Sequence, residues 1–535
     1  MHKKFRLLIF STWLCAFAFH SPAASAQTPS PATLAERIQK VMDRPEFAHS
    51  DFGIQFYSLD SGKILYSLNA NKLFVPASTT KLLTEGTVLA QFGADYRFHT
   101  RVFHTGTLDA KGRLKGDLIL VASGDPNLSD RIQPDGTLAF VDEDHSYNGP
   151  ALPGDPLMVI KQLAKAIAVK GVRKIEGRVL IDTRLLPDGP REGGTNVVLS
   201  SIVVNDNVID LIGTPGAKPG DLATIQSNPQ TSYVKFINRV TTSVAGTKPL
   251  LEDPEINFNS NGSIVVTLSG NLPVGTAPQT AMFPVPSPTN FARTVFTEAL
   301  VAVGIEIKPP KHSDPPDFSR FDHFYTAENQ LAEHVSLPLA EEIKITLKVS
   351  QNLHAALGQY LLGALIAHDP KNSLRAGFKV EHDFLNDAHL DLSGISQGDG
   401  EGGDWADLFT PDFVCHYLTY WATRPDYAIF FRGLPILGKD GTLAKIQTTN
   451  SAAGHVFAKT GTFGSEDRLN ANVMLNGKGL AGYIVTASGE KLVFAAYVNH
   501  VSLPPDPDAA QNIAGQALGE IAAAAYDAPL PPTEN

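Results

Sequence analysis

Cysteine is almost absent from this chain of 535 residues, which has only Cys15 and Cys415. Cys15 lies in a leader that we expect to be removed, so Cys415 alone remains and an intramolecular disulfide is excluded. In the run FVCHYLTYW, Cys415 has the apolar surroundings of a buried helical residue. No pattern around it indicates a catalytic thiol.

Basic charge is also scarce, because 44 Lys and Arg residues stand against 55 Asp and Glu residues, for a formal net charge of −11. Loss of the leader would move this charge to −14, since the leader contains three basic residues and no acidic one. A chain this acidic is not expected to bind nucleic acid, and we expect peripheral membrane association at most.

Long apolar runs are missing as well, apart from one near the N-terminus that is short for a membrane span. There Lys3, Lys4 and Arg6 precede LLIFSTWLCAFAF, and Ala24-Ser25-Ala26 follows. A basic segment, an apolar segment and an A-x-A site in this order predict a cleaved signal peptide over residues 1–26. An uncleaved N-terminal anchor is the alternative. We therefore predict an exported, periplasmic protein of a Gram-negative bacterium.

The most informative motif that is present is Ser78-Thr79-Thr80-Lys81, at a predicted helix start in FVPASTTKLLT. Residues three apart on a helix share one face, so the Ser78 hydroxyl and the Lys81 amine can meet. A serine hydroxyl needs a base to become a nucleophile, and burial can lower the pKa of a lysine enough to make it that base. Alone, the pattern is common.

Two later motifs give the first one its meaning. Ser350-Gln351-Asn352 offers a second hydroxyl for proton relay and an amide that can hold a substrate carbonyl. Lys459-Thr460-Gly461-Thr462 ends a short apolar run that predicts an edge strand, where its hydroxyls can bind a carboxylate. Gly461 permits close backbone approach, and the N–H groups of Thr462 and Ser78 are predicted to form an oxyanion hole.

The three motifs, in this order, are those of β-lactamases and penicillin-binding proteins. The chain resembles class C low-molecular-mass penicillin-binding proteins, the D-alanyl-D-alanine carboxypeptidase/endopeptidases. Phrases that carry the resemblance include PASTTKLLT, GDLILVASGDPNL, KGVRKIEGRVLIDTRLL, VVNDNVIDL, LPILGKDGTLA and LAGYIVTASGEKLVFAAYVNH. Ser350 follows Ser78 by 272 positions, a separation that matches the family's inserted domains, whereas a class A β-lactamase has only a short stretch there.

The resemblance implies an α+β multidomain fold. Its catalytic domain would be β-lactamase/transpeptidase-like, with a central antiparallel sheet and helices, split by inserted β-rich domains. We call residues 98–318 the inserted region. The predicted segments are the signal peptide 1–26, the first half of the catalytic domain 27–97, domain II 98–190, the β-rich domain III 191–285, the return of domain II 286–318, and the second half of the catalytic domain 319–535.

The resemblance also assigns roles. Ser78 is the acylated nucleophile and Lys81 its base, Ser350 the proton relay and Asn352 a substrate ligand. Lys459, Thr460 and Thr462 form the carboxylate and oxyanion group, and Gly461 is part of the substrate-binding site. Asp182 helps to bind the peptide's diaminopimelate side chain, and the alternative is a turn or cap residue at the end of its strand. The expected substrates are peptidoglycan stem peptides, with β-lactam antibiotics as acylating mimics, and no metal or other cofactor is expected.

Predictions also follow for segments outside the three motifs. Residues 186–196 are linker-like, the Gly-rich acidic segment 398–404 is predicted to be a flexible loop, and 463–479 is predicted to extend along the edge of the active site. Long helices are predicted over 338–368, with Ser350-Gln351-Asn352 between helices or at the start of one. His354 and His455 are expected to pack or face solvent, because no carboxylate is evidently paired with them.

Two other functions remain open at this point. A β-lactamase or esterase on the same fold would need a deacylating base, and no glutamate-bearing loop between Ser78 and Ser350 stands out. A non-catalytic peptidoglycan-binding protein would not need to keep the three motifs intact.

Overall fold

The computed structural model of the chain describes residues 32–529, except 130, 253, 260–262, 311–314 and 507. The predicted signal peptide lies outside these residues. Among the helices described, none is both long and apolar enough to cross a bilayer.

The helices begin and end at recognisable signals, such as the capping box that Thr33 and Glu36 form at the first one. The α-helices of the described residues are α1 (Leu34–Met42), α2 (Lys81–Phe92), α3 (Met158–Val169), α4 (Pro288–Ala302), α5 (Leu339–Val349), α6 (Asn352–Leu361), α7 (Ser373–Asp387), α8 (Pro411–Ala422), α9 (Tyr427–Gly433) and α10 (Gln516–Asp527).

The strands are most numerous between α2 and α5. The strands described are β1 (Asp51–Ser58), β2 (Ile64–Leu68), β3 (His99–His104), β4 (Thr107–Leu108), β5 (Arg113–Lys115), β6 (Leu118–Val121), β7 (Lys174–Ile175), β8 (Val179–Asp182), β9 (Val208–Thr214), β10 (Thr224–Asn228), β11 (Val234–Asn238), β12 (Thr241–Ser243), β13 (Leu250–Leu251), β14 (Glu255–Phe258), β15 (Ile264–Leu268), β16 (Gly270–Pro273), β17 (Gln279–Pro284), β18 (Glu306–Ile307), β19 (Gln330–Val335), β20 (Ile395–Ser396), β21 (Leu408–Phe409), β22 (Val456–Asp467), β23 (Asn472–Val485), β24 (Lys491–Asn499) and β25 (Val501–Leu503).

The largest sheet joins the two ends of the chain. Its order is β2-β1-β24-β23-β22, with β25 paired to β23, and all its pairs are antiparallel. The central strand β24 is buried from Leu492 to Asn499, as its nearly continuous apolar sequence predicts for a strand covered on both faces. Helix α8 packs against this strand, and α10 packs against β23 and β24. The predicted fold class is confirmed.

The inserted region has its own core and several small sheets. Strands β3, β6, β8 and β19 form one sheet, and β4, β5, β7 and β18 form another. Three three-stranded sheets contain the strands from β9 to β17. Since β19 lies beyond residue 318 yet pairs with β3, the exact domain boundaries stay a prediction.

The helices predicted over 338–368 are present, and Ser350-Gln351-Asn352 lies between two of them, as the sequence predicts. Ser350 has a left-handed backbone with φ of 65° and ends α5 just before α6 begins. Gln351 caps α6 by accepting a hydrogen bond from the His354 N–H at 3.1 Å. The break places Ser350 and Asn352 at adjoining helix ends.

Candidate active site

Ser78 lies in a turn of 3₁₀-helix, Ala77–Thr80, which leads directly into α2. The preceding residue, Ala77, has a φ of 46°, a conformation that costs energy for any residue with a side chain. Lys81 Nζ lies 2.8 Å from Ser78 Oγ, as the three-residue spacing predicts. Ser78 is partly exposed while Lys81 is fully buried, so a substrate can reach the hydroxyl but not the amine.

Lys81 has two further acceptors, Asn352 Oδ1 and the Glu401 carbonyl oxygen, both at 2.7 Å. Burial lowers the pKa of Lys81 to about 8, while the negative charges of Glu401, Asp399, Glu192 and others act to raise it. An amine with this pKa is partly neutral near pH 8, as a base for the Ser78 proton must be.

Ser350 and Lys459 form a second serine–lysine pair, in which Ser350 lines the cavity and Lys459 is buried behind it. Lys459 Nζ donates to Ser350 Oγ at 2.8 Å and to the Thr460 carbonyl at 2.8 Å. Burial, followed by the positive charges of Lys81 and Lys478, holds the pKa of Lys459 well below its ordinary value. Both pairs therefore consist of a serine hydroxyl and a buried lysine amine, but the charged residues around the two lysines differ.

Strand β22 presents the Lys-Thr-Gly-Thr motif beside the nucleophile. A Cβ on Gly461 would lie 2.3 Å from the Pro76 carbonyl oxygen and 3.1 Å from Ser78 N, so this close approach requires glycine. Thr460 Oγ1 donates to Thr442 Oγ1 at 2.8 Å. Thr462 Oγ1 accepts from Lys478 Nζ at 2.5 Å, which leaves the Thr462 hydroxyl hydrogen available to a ligand.

Lys478 is a residue that the sequence motifs did not reveal. It lies directly opposite Thr462 in the β22–β23 pairing, and burial lowers its pKa to about 8. Only the strand register brings it to the site, so no local pattern could have identified it.

An open cavity of about 520 Å³ lies above these groups. Ser78, Ser350, Thr460 and Thr462 contribute to its lining. Its far wall comes from the inserted region and is acidic, with Asp142, Glu143 and Asp144. The cavity therefore has a floor lined by hydroxyl groups and a wall of acidic side chains, of which Glu143 is paired with Lys445.

The structure does not bring Asp182 to this cavity. Asp182 is buried at the end of β8, where its carboxylate accepts from Arg184 Nη2 at 2.8 Å and from Tyr325 Oη at 2.7 Å. These contacts are those of a structural ion pair, so the predicted peptide-binding role finds no support in this placement.

The segment 398–404, which the sequence predicts to be a flexible loop, is packed against the rest of the site. Asp399 accepts hydrogen bonds from the backbone N–H groups of Glu401, Gly402 and Gly403, and the Glu401 side chain is buried. Burial, then the charges of Asp399 and Glu192, raise the pKa of Glu401 to about 8. Within the described ranges, no group of three or more His, Cys, Asp or Glu side chains is placed to hold a metal ion.

The linker-like segment 186–196 is also more than a connection. Its Glu192 is buried, and Oε2 accepts a hydrogen bond from Asn352 Nδ2 at 3.0 Å. The neighbouring Gly193 N–H donates to Glu401 Oε1 at 2.6 Å. A carboxylate from between Ser78 and Ser350 thus does reach the site, although its Gly-rich surroundings hid it in the sequence.

His354, expected to have no carboxylate partner, has two. Its Nε2 lies 2.9 Å from Asp206 Oδ1 and its Nδ1 lies 2.8 Å from Glu342 Oε1. His145 shares Asp206, with Nε2 at 2.6 Å from Oδ2. Although burial acts to lower the pKa of His145, hydrogen bonds with Asp206 and Asp210 raise it to about 10. His455 instead stacks against Tyr526.

The 463–479 segment is a β-hairpin extension of β22 and β23, paired up to Asp467 and Asn472. Phe463, directly after the Lys-Thr-Gly-Thr motif, meets the exposed Trp405 ring edge to face with centroids 4.8 Å apart. The prediction of an extended segment at the edge of the site agrees with this geometry.

The antiparallel sheet with a serine at the start of the adjoining helix, together with inserted β-rich domains, defines a penicillin-binding-protein-like fold. A crystal structure of penicillin binding protein 4 (dacB) from Haemophilus influenzae superposes with a TM-score of 0.68 at 19% identity, over 92% of this chain and 98% of that one. Its complex with a β-lactam gives a TM-score of 0.65 at 19% identity, over 91% and 98% of the two chains.

Residues 34–519 match the family model described as Peptidase S13, D-Ala-D-Ala carboxypeptidase 3 (S13) family, and the chain belongs to this family. A D-alanyl-D-alanine carboxypeptidase of Actinomadura sp. strain R39 is 28% identical over 94% of this chain and 87% of its own length. The D-alanyl-D-alanine carboxypeptidase DacB of H. influenzae is 22% identical over 80% of each chain. The family resemblance predicted from the motifs is confirmed.

Proposed function

We propose that this protein is a serine D-Ala-D-Ala carboxypeptidase and endopeptidase that cleaves peptidoglycan stem peptides through an acyl-enzyme on Ser78. The observation that carries the proposal is the 2.8 Å contact between Ser78 Oγ and the buried amine of Lys81, at the floor of an open cavity. Membership of the S13 family and the names of the relatives support the same reaction.

In the first step the neutral amine of Lys81 takes the Ser78 proton as Oγ attacks the carbonyl carbon of the penultimate D-Ala. The backbone N–H groups of Ser78 and Thr462 stabilise the oxyanion. The C–N bond then breaks, and the leaving amine receives a proton through the Ser350 hydroxyl. The leaving group is D-Ala in the carboxypeptidase reaction and a cross-linking amine in the endopeptidase reaction.

In the second step water attacks the ester and releases Ser78, whose oxygen recovers a proton. The terminal carboxylate of the substrate binds the hydroxyl of Thr462, with the positive charge of Lys478 behind Thr462. It also binds the hydroxyl of Thr460 once this group turns its hydrogen away from Thr442. Asn352 holds a substrate carbonyl through its amide N–H. The place of action is the periplasm, reached after removal of residues 1–26.

The test is covalent labelling with a fluorescent penicillin, comparing the wild-type protein with Ser78→Ala. We expect stable label on the wild type and none on the variant, with a mass increase of one penicillin on the peptide that contains Ser78. Absence of wild-type label, together with no D-Ala release from a pentapeptide, would contradict the proposal. Digestion of isolated sacculi then separates carboxypeptidase from endopeptidase products.

A β-lactamase would turn the label over rapidly, because a base would activate water against the acyl-enzyme. Glu192 is not such a base: its two oxygens together accept five hydrogen bonds, from Asn352 Nδ2, Gly194 N, Thr195 N, Thr195 Oγ1 and Val197 N. These donors occupy all the acceptor positions of a carboxylate, so none is left to take a proton from water. Glu192 is therefore not available as a base for deacylation, and we expect the penicillin label to persist.

A further inference from the structure

The inserted region brings one carboxylate to the Ser-x-Asn motif. Glu192 is only 4% exposed, and its Oε2 accepts from Asn352 Nδ2 at 3.0 Å. The same amide accepts through Oδ1 from Lys81 Nζ at 2.7 Å, and Lys81 in turn contacts Ser78. A continuous chain of hydrogen bonds therefore joins the nucleophile to Glu192.

This series of hydrogen bonds determines how the Asn352 amide is oriented. The two ends of an asparagine amide have nearly the same size, so hydrogen-bond partners decide which end points where. A charged Lys81 can only donate and therefore selects Oδ1. A neutral Lys81, which the reaction requires, can donate or accept and no longer selects either end. Glu192 can only accept, so it still selects Nδ2.

Glu192 is itself fixed by its own loop. Its Oε1 accepts from the N–H and the hydroxyl of Thr195, and its Oε2 also accepts from Gly194 N at 2.8 Å. The approach to the amide is close, since a Cβ on Gly194 would lie 2.3 Å from Asn352 Nδ2. The carboxylate is thus a rigid acceptor that cannot follow Asn352 if the amide rotates.

We propose that Glu192 is a positioning residue of the reaction, which holds the Asn352 amide so that the second N–H of Nδ2 is presented to the substrate carbonyl. The inference rests on the proposed function, because it assigns Asn352 the role of a substrate ligand. It also makes the inserted region a contributor to the catalytic centre, through a residue that does not itself touch the reacting atoms.

Glu192 has a second, electrostatic effect that can be measured separately. Burial lowers the pKa of Lys81, and the charge of Glu192 is among those that act in the opposite direction. Removal of this charge should lower the pKa of Lys81 further and favour the neutral amine. The acid limb of the pH profile, the range in which the acylation rate falls as Lys81 becomes protonated, should then move to lower pH.

The experiment measures the second-order rate of acylation by a fluorescent penicillin between pH 5 and 10 in Glu192→Gln. The donors of Thr195 require an oxygen at the Oε1 position, so the amide nitrogen of the glutamine faces the amide nitrogen of Asn352. We expect the plateau rate to fall about 10- to 100-fold. The acid limb should move down by about half a pH unit or more.

Two further variants separate position from charge. Gly194→Ala displaces the amide but keeps the carboxylate, so we expect a lower plateau rate with the acid limb unmoved. Glu298→Gln, a matched substitution where the carboxylate binds Ser232 N at 2.7 Å on the surface of α4, should behave as the wild type. Thermal unfolding of each variant identifies losses that are due to misfolding.

The outcomes are distinguishable. If the wild type is labelled and Glu192→Gln reacts at the same rate with the same acid limb, the positioning role is wrong while the proposed function stands. If Glu192→Gln is slower with an unmoved limb, and Gly194→Ala is unaffected, the loss is structural and the inference is also wrong. If the wild type takes no label, the proposed function fails and the inference falls with it.

Discussion

Two regions of the molecule contribute different chemistry to the same site. One region is formed by the two ends of the chain, and the other is the inserted region. The first carries both serine–lysine pairs, on α2, on the α5–α6 break and on β22. The inserted region carries carboxylates that reach the Ser-x-Asn segment from outside, with Glu192 at Asn352 and Asp206 at His354. This difference indicates that carboxylates of the inserted region hold the start of α6 in place. The inserted region is therefore part of the structure of the site.

The two lysines show what this support does electrostatically. Lys81 has carboxylates among its neighbours, and they limit how far burial lowers its pKa. Lys459 has Lys81 and Lys478 as charged neighbours, and their charges lower its pKa in the same direction as burial. Lys81 is thus suited to exchange a proton near neutral pH. Substitution of single residues can test this difference between the two lysines.

The largest expected effect is the loss of the base in Lys81→Met. Because Ser78 then has no neighbouring proton acceptor, we expect acylation by fluorescent penicillin to slow about 10²- to 10⁴-fold. The control is Lys379→Met on the exposed face of α7, where the lysine pairs with Asp383. A variant that retains a rate within threefold of the wild type would show that another group accepts the proton.

The contact between the inserted region and α6 is tested by Asp206→Asn. Although burial acts to raise it, the charges and hydrogen bonds of His354 and His145 hold the pKa of Asp206 below its ordinary value. Removal of this charge leaves two buried imidazolium groups without their shared partner, so we expect a loss of about 3–5 kcal/mol in the free energy of unfolding. Urea unfolding at pH 7 measures it.

The comparison for Asp206→Asn is Asp317→Asn, a surface residue whose carboxylate caps Ser319 N at 3.2 Å. This substitution should cost about 1 kcal/mol or less. Equal losses in the two variants would mean that the buried contact between Asp206 and α6 contributes nothing beyond an ordinary surface cap.

The motifs and the sheet could be predicted because their patterns are local. Ser78 and Lys81 are three residues apart, and the β1–β2 hairpin consists of two runs rich in strand-forming residues joined by a turn at Asp60-Ser61-Gly62. The long apolar strand β24 likewise indicates its buried position. Such features depend on neighbours in sequence, so the sequence is sufficient.

What could not be predicted depends on contacts between distant residues. Glu192 and Glu401 lie in Gly-rich segments that are typical of flexible loops, and only the folded arrangement buries them beside Lys81. Lys478 reaches Thr462 through strand register alone. In each case a long-range contact overrides the local pattern.

A third test sharpens the contrast between the lysines through pH. Burial lowers the pKa of Lys81 to about 8, so protonation removes the base below that value. We expect the acylation rate of the wild type to fall about tenfold per pH unit below pH 8 and to level off above it. A rate that is flat from pH 6 to 9 would contradict the assignment, once the protein is shown to stay folded over this range.

The smallest effect concerns the packing of segment 398–404 against the nucleophile. Gly402 has a φ of +93°, and a Cβ there would lie 2.0 Å from the Ala77 carbonyl oxygen, whereas Gly489 has a φ of +87° and open space around its Cβ. Gly489→Ala therefore measures backbone strain alone, about 1 kcal/mol. Gly402→Ala should cost about 1–3 kcal/mol more. It should also slow acylation, because the clash displaces the peptide bond between Ala77 and Ser78. Equal unfolding free energies and unchanged acylation in both variants would show that the segment does not hold the nucleophile.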